Sequence, residues 1–278
     1  MSEPRSAPVT VPAVRAAKVR DGHAPLVMVT AYDAPGARIA DAGGVDLILV
    51  GDSVANVVLG YEDTLQVTIE DMAHHVAAVA RARPGALVVG DLPWMSYHVD
   101  RADTVRNAAV LIRAGAQCVK LEGGAVRAPM IEALVAAEIP VMGHIGLTPQ
   151  SVHAFGGFKV QGRDDTAATS LVEGARALES AGAFAVVVEG VPERVGAAVT
   201  ESLDVPTIGI GAGPHCDGQV LVLHDLLGMS ARTPKFVRRY AELAEVATAA
   251  VAAYAADVRS GAFPSETETY ATPEDLLR

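Results

Sequence analysis

Short aliphatic runs recur along the chain, and most are followed by a polar turn and then a stretch with helical spacing. Residues 47–50, Leu-Ile-Leu-Val, are apolar at every position, the pattern of a strand covered on both faces. Comparable runs stand at 26–30, 87–89, 117–121, 140–144, 184–188, 206–210 and 219–223. Between them, 34–42, 68–82, 103–114, 129–137, 164–181 and 192–203 read as helices. Thr68 with Glu70 and Asp71 marks one start, and Pro84-Gly85 marks the stop that follows it. Residues 14–20 predict a short leading helix, and 235–258 a long alanine-rich one. Eight strands, mostly separated by helices, predict an α/β protein built as a single parallel (β/α)8 barrel of the TIM type. The rival, a doubly wound open sheet, calls for a glycine-rich fingerprint after the first strand. Tyr32-Asp33-Ala34-Pro35-Gly36 is not one. Residues 1–12, rich in Pro, Ser and Thr, are expected as a flexible arm, 13–260 as the barrel and 261–278 as a polar tail.

Four of the apolar runs end in a carboxylate: Asp52 after 47–50, Asp91 after 87–89, Glu122 after 117–121 and Glu189 after 184–188. In a parallel barrel all strand C-termini open on one face, so these acids share a mouth. Converging carboxylates repel unless protons or a cation offset them. Asp52, Asp91 and Glu122, with no Cys or His at matching positions, point to a hard ion such as Mg²⁺. The plain alternative for each is a loop or helix-cap acid. Lys120 interrupts the apolar run two residues before Glu122, and strand alternation puts both on one side. There it can neutralise a substrate carboxylate or a developing oxyanion, or serve as a buried ion-pair partner. Glu189, across the barrel from the other acids, suits a general base with a raised pKa, against a reading as a cap before Pro192. His144 is either a substrate contact or a structural histidine. Ser53 adds one hydroxyl beside Asp52. His74-His75 reads as a solvated helix face, and Gly209 to Gly213 is a weak match to a phosphate-cradling loop. The loop 146–163 is long enough to be a lid or binding loop.

Composition narrows the partners. The length of 278 residues suits one barrel of roughly 250 residues. A formal charge of −11 argues against nucleic acid or an anionic membrane surface as a partner. Two cysteines are too few for a disulfide framework and fit a reducing compartment. Cys118, inside an apolar run, reads as a small core residue. No run reaches 18 apolar residues and 1–12 lack the apolar core of a secretion signal, so a cytoplasmic protein with no membrane partner is expected.

Val50-Gly51-Asp52-Ser53, Gly90-Asp91-Leu92-Pro93, Val119-Lys120-Leu121-Glu122-Gly123, the run from Gly143 to Gln150 and Gly209 to Gly213 together resemble the ketopantoate hydroxymethyltransferases. The likeness spans about residues 30–229 in order. It implies transfer of a hydroxymethyl group from 5,10-methylenetetrahydrofolate, as one-carbon donor, to 3-methyl-2-oxobutanoate through a Mg²⁺-stabilised enolate. This is the first step toward pantothenate and coenzyme A. By the same resemblance Asp52 and Asp91 hold Mg²⁺, with Glu122 supporting it directly or through water. Ser53 and Lys120 bind the keto acid and Glu189 is the base, while Asp52, Asp91 and His144 stand as further candidate substrate contacts. It further implies a homodecamer. Two alternatives differ in chemistry: another Mg²⁺-dependent 2-oxo acid enolate barrel, a lyase or phosphomutase, and a non-catalytic small-molecule binding barrel.

Overall fold

In the computed structural model, which describes residues 7–271, the aliphatic runs form the eight strands of a closed barrel. They are β1 (Leu26–Thr30), β2 (Leu47–Val50), β3 (Leu87–Asp91), β4 (Cys118–Glu122), β5 (Val141–Gly146), β6 (Ala185–Glu189), β7 (Thr207–Ile210) and β8 (Gly218–Leu221). Each is parallel to the next, and β8 returns to β1, which is the expected (β/α)8 topology. The helices are α1 (Val11–Arg15), α2 (Ala34–Ala42), α3 (Val54–Val57), α4 (Ile69–Ala80), α5 (Arg101–Ala114), α6 (Ala128–Ala136), α7 (Val152–Phe155), α8 (Asp165–Ser180), α9 (Glu193–Ser202), α10 (Leu223–Leu226) and α11 (Leu243–Ser260). Local chemistry sets several starts: Thr68 and Asp71 form a reciprocal capping box at α4, and Asp33, Asp100 and Asp164 cap α2, α5 and α8.

Alternation along the strands divides the barrel interior into levels. The lower levels are apolar: Met28, Leu47, Leu49, Leu87, Val89, Cys118, Met142, Ala185, Val187, Ile208 and Val220 form one buried cluster, with Val14 and Ala17 closing it from the N-terminal side. Cys118 is accordingly a core residue. Near the C-terminal ends the same inward positions turn polar, at Thr30, Asp91, Lys120, Glu122, His144 and Glu189. Apolar filling below therefore supports a polar pocket above.

Several boundaries differ from the sequence expectation. The leading helix spans Val11–Arg15, not 14–20, because the Thr10 side chain caps it and Pro12 sits in its first turn. Lys18 leaves the helical path and buries its ammonium 2.8 Å from Asp217 Oδ2 and 2.9 Å from Thr200 O. β3, β4 and β6 each run on to include their acid as the last residue. The loop after β5 contains a 3-10 turn at Pro149–Ser151 and then α7. The alanine-rich helix begins only at Leu243, since Tyr240 N–H and Leu243 N–H donate to Leu226 O and Leu227 O and hold the preceding chain in a loop. The segments expected as arm and tail lie partly outside the described residues.

The described residues fall into two compact units. One holds the barrel (7–223 with 235–237), and the other holds α11 (224–234 with 238–271). Within the second, α11 has no buried residue.

The Lys18–Asp217 pair is 2% exposed on both sides, so removing one partner strands a buried charge. Lys18→Met should lower unfolding free energy by roughly 3–5 kcal/mol, read from urea denaturation. A loss below about 1 kcal/mol would show that water reaches Asp217 and replaces the ammonium.

Candidate active site

Parallel register brings the strand-end side chains together. Asp91 pairs with Lys120, Glu122 with His144, and Gly146 with Glu189. Lys120 Nζ lies 2.9 Å from Asp91 Oδ1, 3.7 Å from Glu122 Oε1 and 3.2 Å from His144 Nδ1. His144 Nδ1 is 3.3 Å from Glu122 Oε1, and on the other edge of the ring Nε2 is 3.2 Å from Glu189 Oε2. Asp52 stands beyond the end of β2, and its backbone N–H donates to Asp91 Oδ2 at 3.1 Å. Ser53 Oγ is 2.9 Å from Tyr32 Oη. Asp52, Ser53, Asp91, Lys120, Glu122, His144 and Glu189 line one cavity of about 100 Å³, walled on its apolar side by Leu49, Val187, Ile210 and Val220. Gly146 makes the β5–β6 rim possible: its φ is +96°, and a Cβ there would stand 2.1 Å from Glu189 O.

The electrostatics are those of acid in excess. Burial, then the charges of Asp91 and Glu122, push the Asp52 carboxyl well above its ordinary range. Burial also raises Asp91, with Lys120 opposing and Glu122 adding to the rise. For Lys120 burial disfavours the ammonium, but Asp91, Glu122 and Asp52 outweigh it and hold the charge on. Burial acts against the Glu122 carboxylate as well, and His144, Lys120 and the Gln150 backbone amide more than offset it, leaving Glu122 lowered. His144 is disfavoured as a cation by burial and by Lys120, yet Glu122 and Glu189 carry it up to about 9.

Partly compensated negative charge beside two adjacent aspartates, which offer oxygen donors only, is the setting for a hard divalent cation. Asp91 Oδ1 and Glu122 Oε1 are buried with no aligned hydrogen bond, and Asp52 Oδ1 has no hydrogen-bond partner among the described residues. No three Asp, Glu, His or Cys side chains among the described residues form a ready-made metal cage. Mg²⁺ does not require one, because it keeps several waters and takes one or two carboxylates. The adjacent Asp52 and Asp91 fit that demand. Glu122 is more committed, with Oε2 accepting the Gln150 backbone N–H at 3.1 Å.

Two contributors were not marked as site residues in the sequence. Gln150 Nε2 donates to Asp52 Oδ2 at 2.9 Å, and Gln150 Oε1 accepts from Tyr97 Oη at 2.6 Å. Tyr97 Oη in turn accepts Glu122 N–H at 3.2 Å. The Gly143–Gln150 run contains Gln150, but only the folded loop shows which acid it meets. Glu189 is not a lone carboxylate, since His144 stands beside it. His75, expected on a solvated face with His74, donates from Nδ1 to Tyr32 O at 2.7 Å and ties α4 to the β1 loop. The glycines of 209–213 serve close packing: a Cβ on Gly211 would meet the Phe236 ring at 2.7 Å.

A family model described as ketopantoate hydroxymethyltransferase matches residues 8–266. A 3-methyl-2-oxobutanoate hydroxymethyltransferase of a Methylobacterium species is 60% identical over 250 residues, covering 90% of this chain and 87% of that protein. One from Oleidesulfovibrio alaskensis is 56% identical over 272 residues, covering 97% and 93%. Among solved structures, phosphonopyruvate hydrolase in complex with oxalate and Mg²⁺ has a TM-score of 0.61 at 16% identity, covering 94% of this chain and 93% of that one. For 2,3-dimethylmalate lyase the values are 0.60, 18%, 94% and 92%. At such identity these two likenesses concern the fold alone.

His144 supplies a pH test. Its folded value of about 9 exceeds the ordinary 6.5, so its stabilising share is full below about pH 6.5 and lost as pH rises through about 9. In metal-free protein, His144→Gln should remove that fall from the urea-denaturation profile. Parallel wild-type and variant profiles across this range would show that the imidazole is neutral throughout.

Proposed function

The chain belongs to the ketopantoate hydroxymethyltransferase family, and from that premise we propose how its strand-end residues share the work of the transfer. It is an enzyme that places a hydroxymethyl group on 3-methyl-2-oxobutanoate. One observation carries the assignment of roles: Asp52, Asp91, Lys120, Glu122, His144 and Glu189 make a continuous polar chain around one small cavity. Phosphonopyruvate hydrolase and 2,3-dimethylmalate lyase share the fold with this chain, whereas the family model that it matches is that of the ketopantoate hydroxymethyltransferases.

Asp52 and Asp91 would hold Mg²⁺, with Glu122 behind them through water, and the ion when bound supplies a Lewis acid beside the keto oxygen. Ser53 Oγ and Lys120 Nζ bind the carboxylate of the keto acid, and the ammonium offsets charge that develops as C3 loses its proton. Glu189 takes that proton. His144 Nε2 stands 3.2 Å from Glu189 Oε2 and orients that carboxylate on the far side of the cavity from the two aspartates. Val187, Ile210 and Val220 receive the isopropyl group. The keto acid occupies the cavity, and 5,10-methylenetetrahydrofolate donates its carbon from the mouth. Water completes the hydroxymethyl group as tetrahydrofolate leaves. We assign the enzyme to the cytoplasm as a homo-oligomer, ten chains by family resemblance. The exposed apolar side chains of α11, Val246, Val251 and Tyr254, support self-association.

Glu189→Gln keeps shape and removes the base. Exchange of the C3 hydrogen in deuterated water, followed by NMR without folate, should slow by ~10²–10⁴, with keto-acid binding retained. Exchange at the wild-type rate would remove Glu189 from the role. Lys120→Ala should weaken keto-acid binding by about 1.5–3 kcal/mol, read as a raised KM. An unchanged KM with lowered stability would leave Lys120 a purely structural ion-pair partner.

A further inference from the structure

The Gln150 carboxamide is buried and fully engaged. Nε2 donates to Asp52 Oδ2 at 2.9 Å and to Leu92 O at 3.0 Å, while Oε1 accepts from Tyr97 Oη at 2.6 Å. The backbone N–H of the same residue donates to Glu122 Oε2 at 3.1 Å. A single residue from the β5 loop thus contacts groups that follow β2 and β3 and the end of β4. Its orientation is determined by chemistry. Turning the amide over would set its oxygen against two acceptors, the Asp52 carboxylate and the Leu92 carbonyl. Tyr97 Oη also accepts from Glu122 N–H, so its own proton is free to go to Gln150 Oε1.

This arrangement treats the two Asp52 oxygens differently. Oδ2 is occupied by an amide that cannot rotate, and Oδ1 has no hydrogen bond among the described residues. A carboxylate free to spin would present either oxygen, or both, to a cation. Mg²⁺ has strict octahedral demands and is served best by one oxygen at one angle. Groups behind a ligand that fix its orientation typically change metal affinity by 10–100-fold.

We propose that Gln150 is a positioning residue for the divalent cation: its amide, locked by Tyr97, pins Asp52 Oδ2 so that Oδ1 alone faces the ion. The proposal rests on the assignment of Asp52 and Asp91 as the cation site. It adds a specific dependence that the assignment alone does not contain. Removing an uncharged amide that does not itself touch the ion should weaken cation binding.

The test uses Mn²⁺ alone as the probe, followed by electron paramagnetic resonance on the full-length protein without substrate. Wild type and Asp52→Ala come first. Binding by wild type and its loss in Asp52→Ala establish the site, whereas no binding by wild type overturns both the site and this proposal. Gln150→Leu then keeps the volume and removes the amide. The expected result is a Kd for Mn²⁺ raised about tenfold in protein whose circular dichroism and thermal midpoint show it folded. Tyr97→Phe, which frees the amide without deleting it, should give a smaller rise of about threefold, and it decides the question if Gln150→Leu does not fold. A Kd within twofold of wild type in the folded variant overturns the positioning role and leaves the aspartate site standing. A loss of thermal stability alone, with Mn²⁺ affinity unchanged, does the same.

Discussion

One buried ammonium governs the upper level of this barrel. Lys120 Nζ stands among Asp91, Glu122 and His144, with Asp52 close behind Asp91. Carboxylates this deep cannot all remain charged without compensation, because burying an unpaired ion costs several kcal/mol even after relaxation. A single positive charge offsets only part of the deficit. What remains is a site that stabilises its own acids incompletely and so favours whatever cation or proton can enter. The same excess holds His144 charged and places it between Glu122 and Glu189. Asp52, Asp91 and Glu122 on one side and Glu189 on the other are thereby joined in one electrostatic unit.

Such a unit needs a rigid support, and the lower barrel provides it. Inward positions are aliphatic up to Val89, Met142 and Val187, and the next inward position on each of those strands is Asp91, His144 and Glu189. Ion and apolar filling differ by a single strand step, so a register slip of one residue would turn the charged groups out of the pocket. Close backbone approaches reinforce the register. Gly146 lies where no side chain fits beside Glu189, which keeps the last residues of β5 and β6 level.

Loops supply the second kind of order. The β5 loop returns Gln150 to the groups following β2 and β3, and Tyr97 ties the β3 loop to Glu122. These bonds link strand ends across the mouth, including β5 with the non-adjacent β2 and β3, where the sheet's own hydrogen bonds have ended. They fix how the Asp52 and Glu122 carboxylates are presented at the mouth.

Much of this was legible along the chain. Aliphatic runs of strand length alternating with capped helices gave the closed parallel barrel, because periodicity and capping are local properties. Alternation placed Lys120 and Glu122 on one side for the same reason. The acids at strand ends announced a common pocket once the strands were taken as parallel. Other facts required closure of the barrel. Asp52 and Gln150 are 98 residues apart, and no local pattern relates them. His144 was ambiguous until the pairing of β4 with β5 set it against Glu122 and the adjacent β6 set it against Glu189. Lys18 read as a helix residue, although its ammonium belongs with Asp217, 199 residues further along the chain. Strand identity is written in neighbours along the chain. The partners of a buried charge are chosen by the register and by loop return, which only the folded chain possesses.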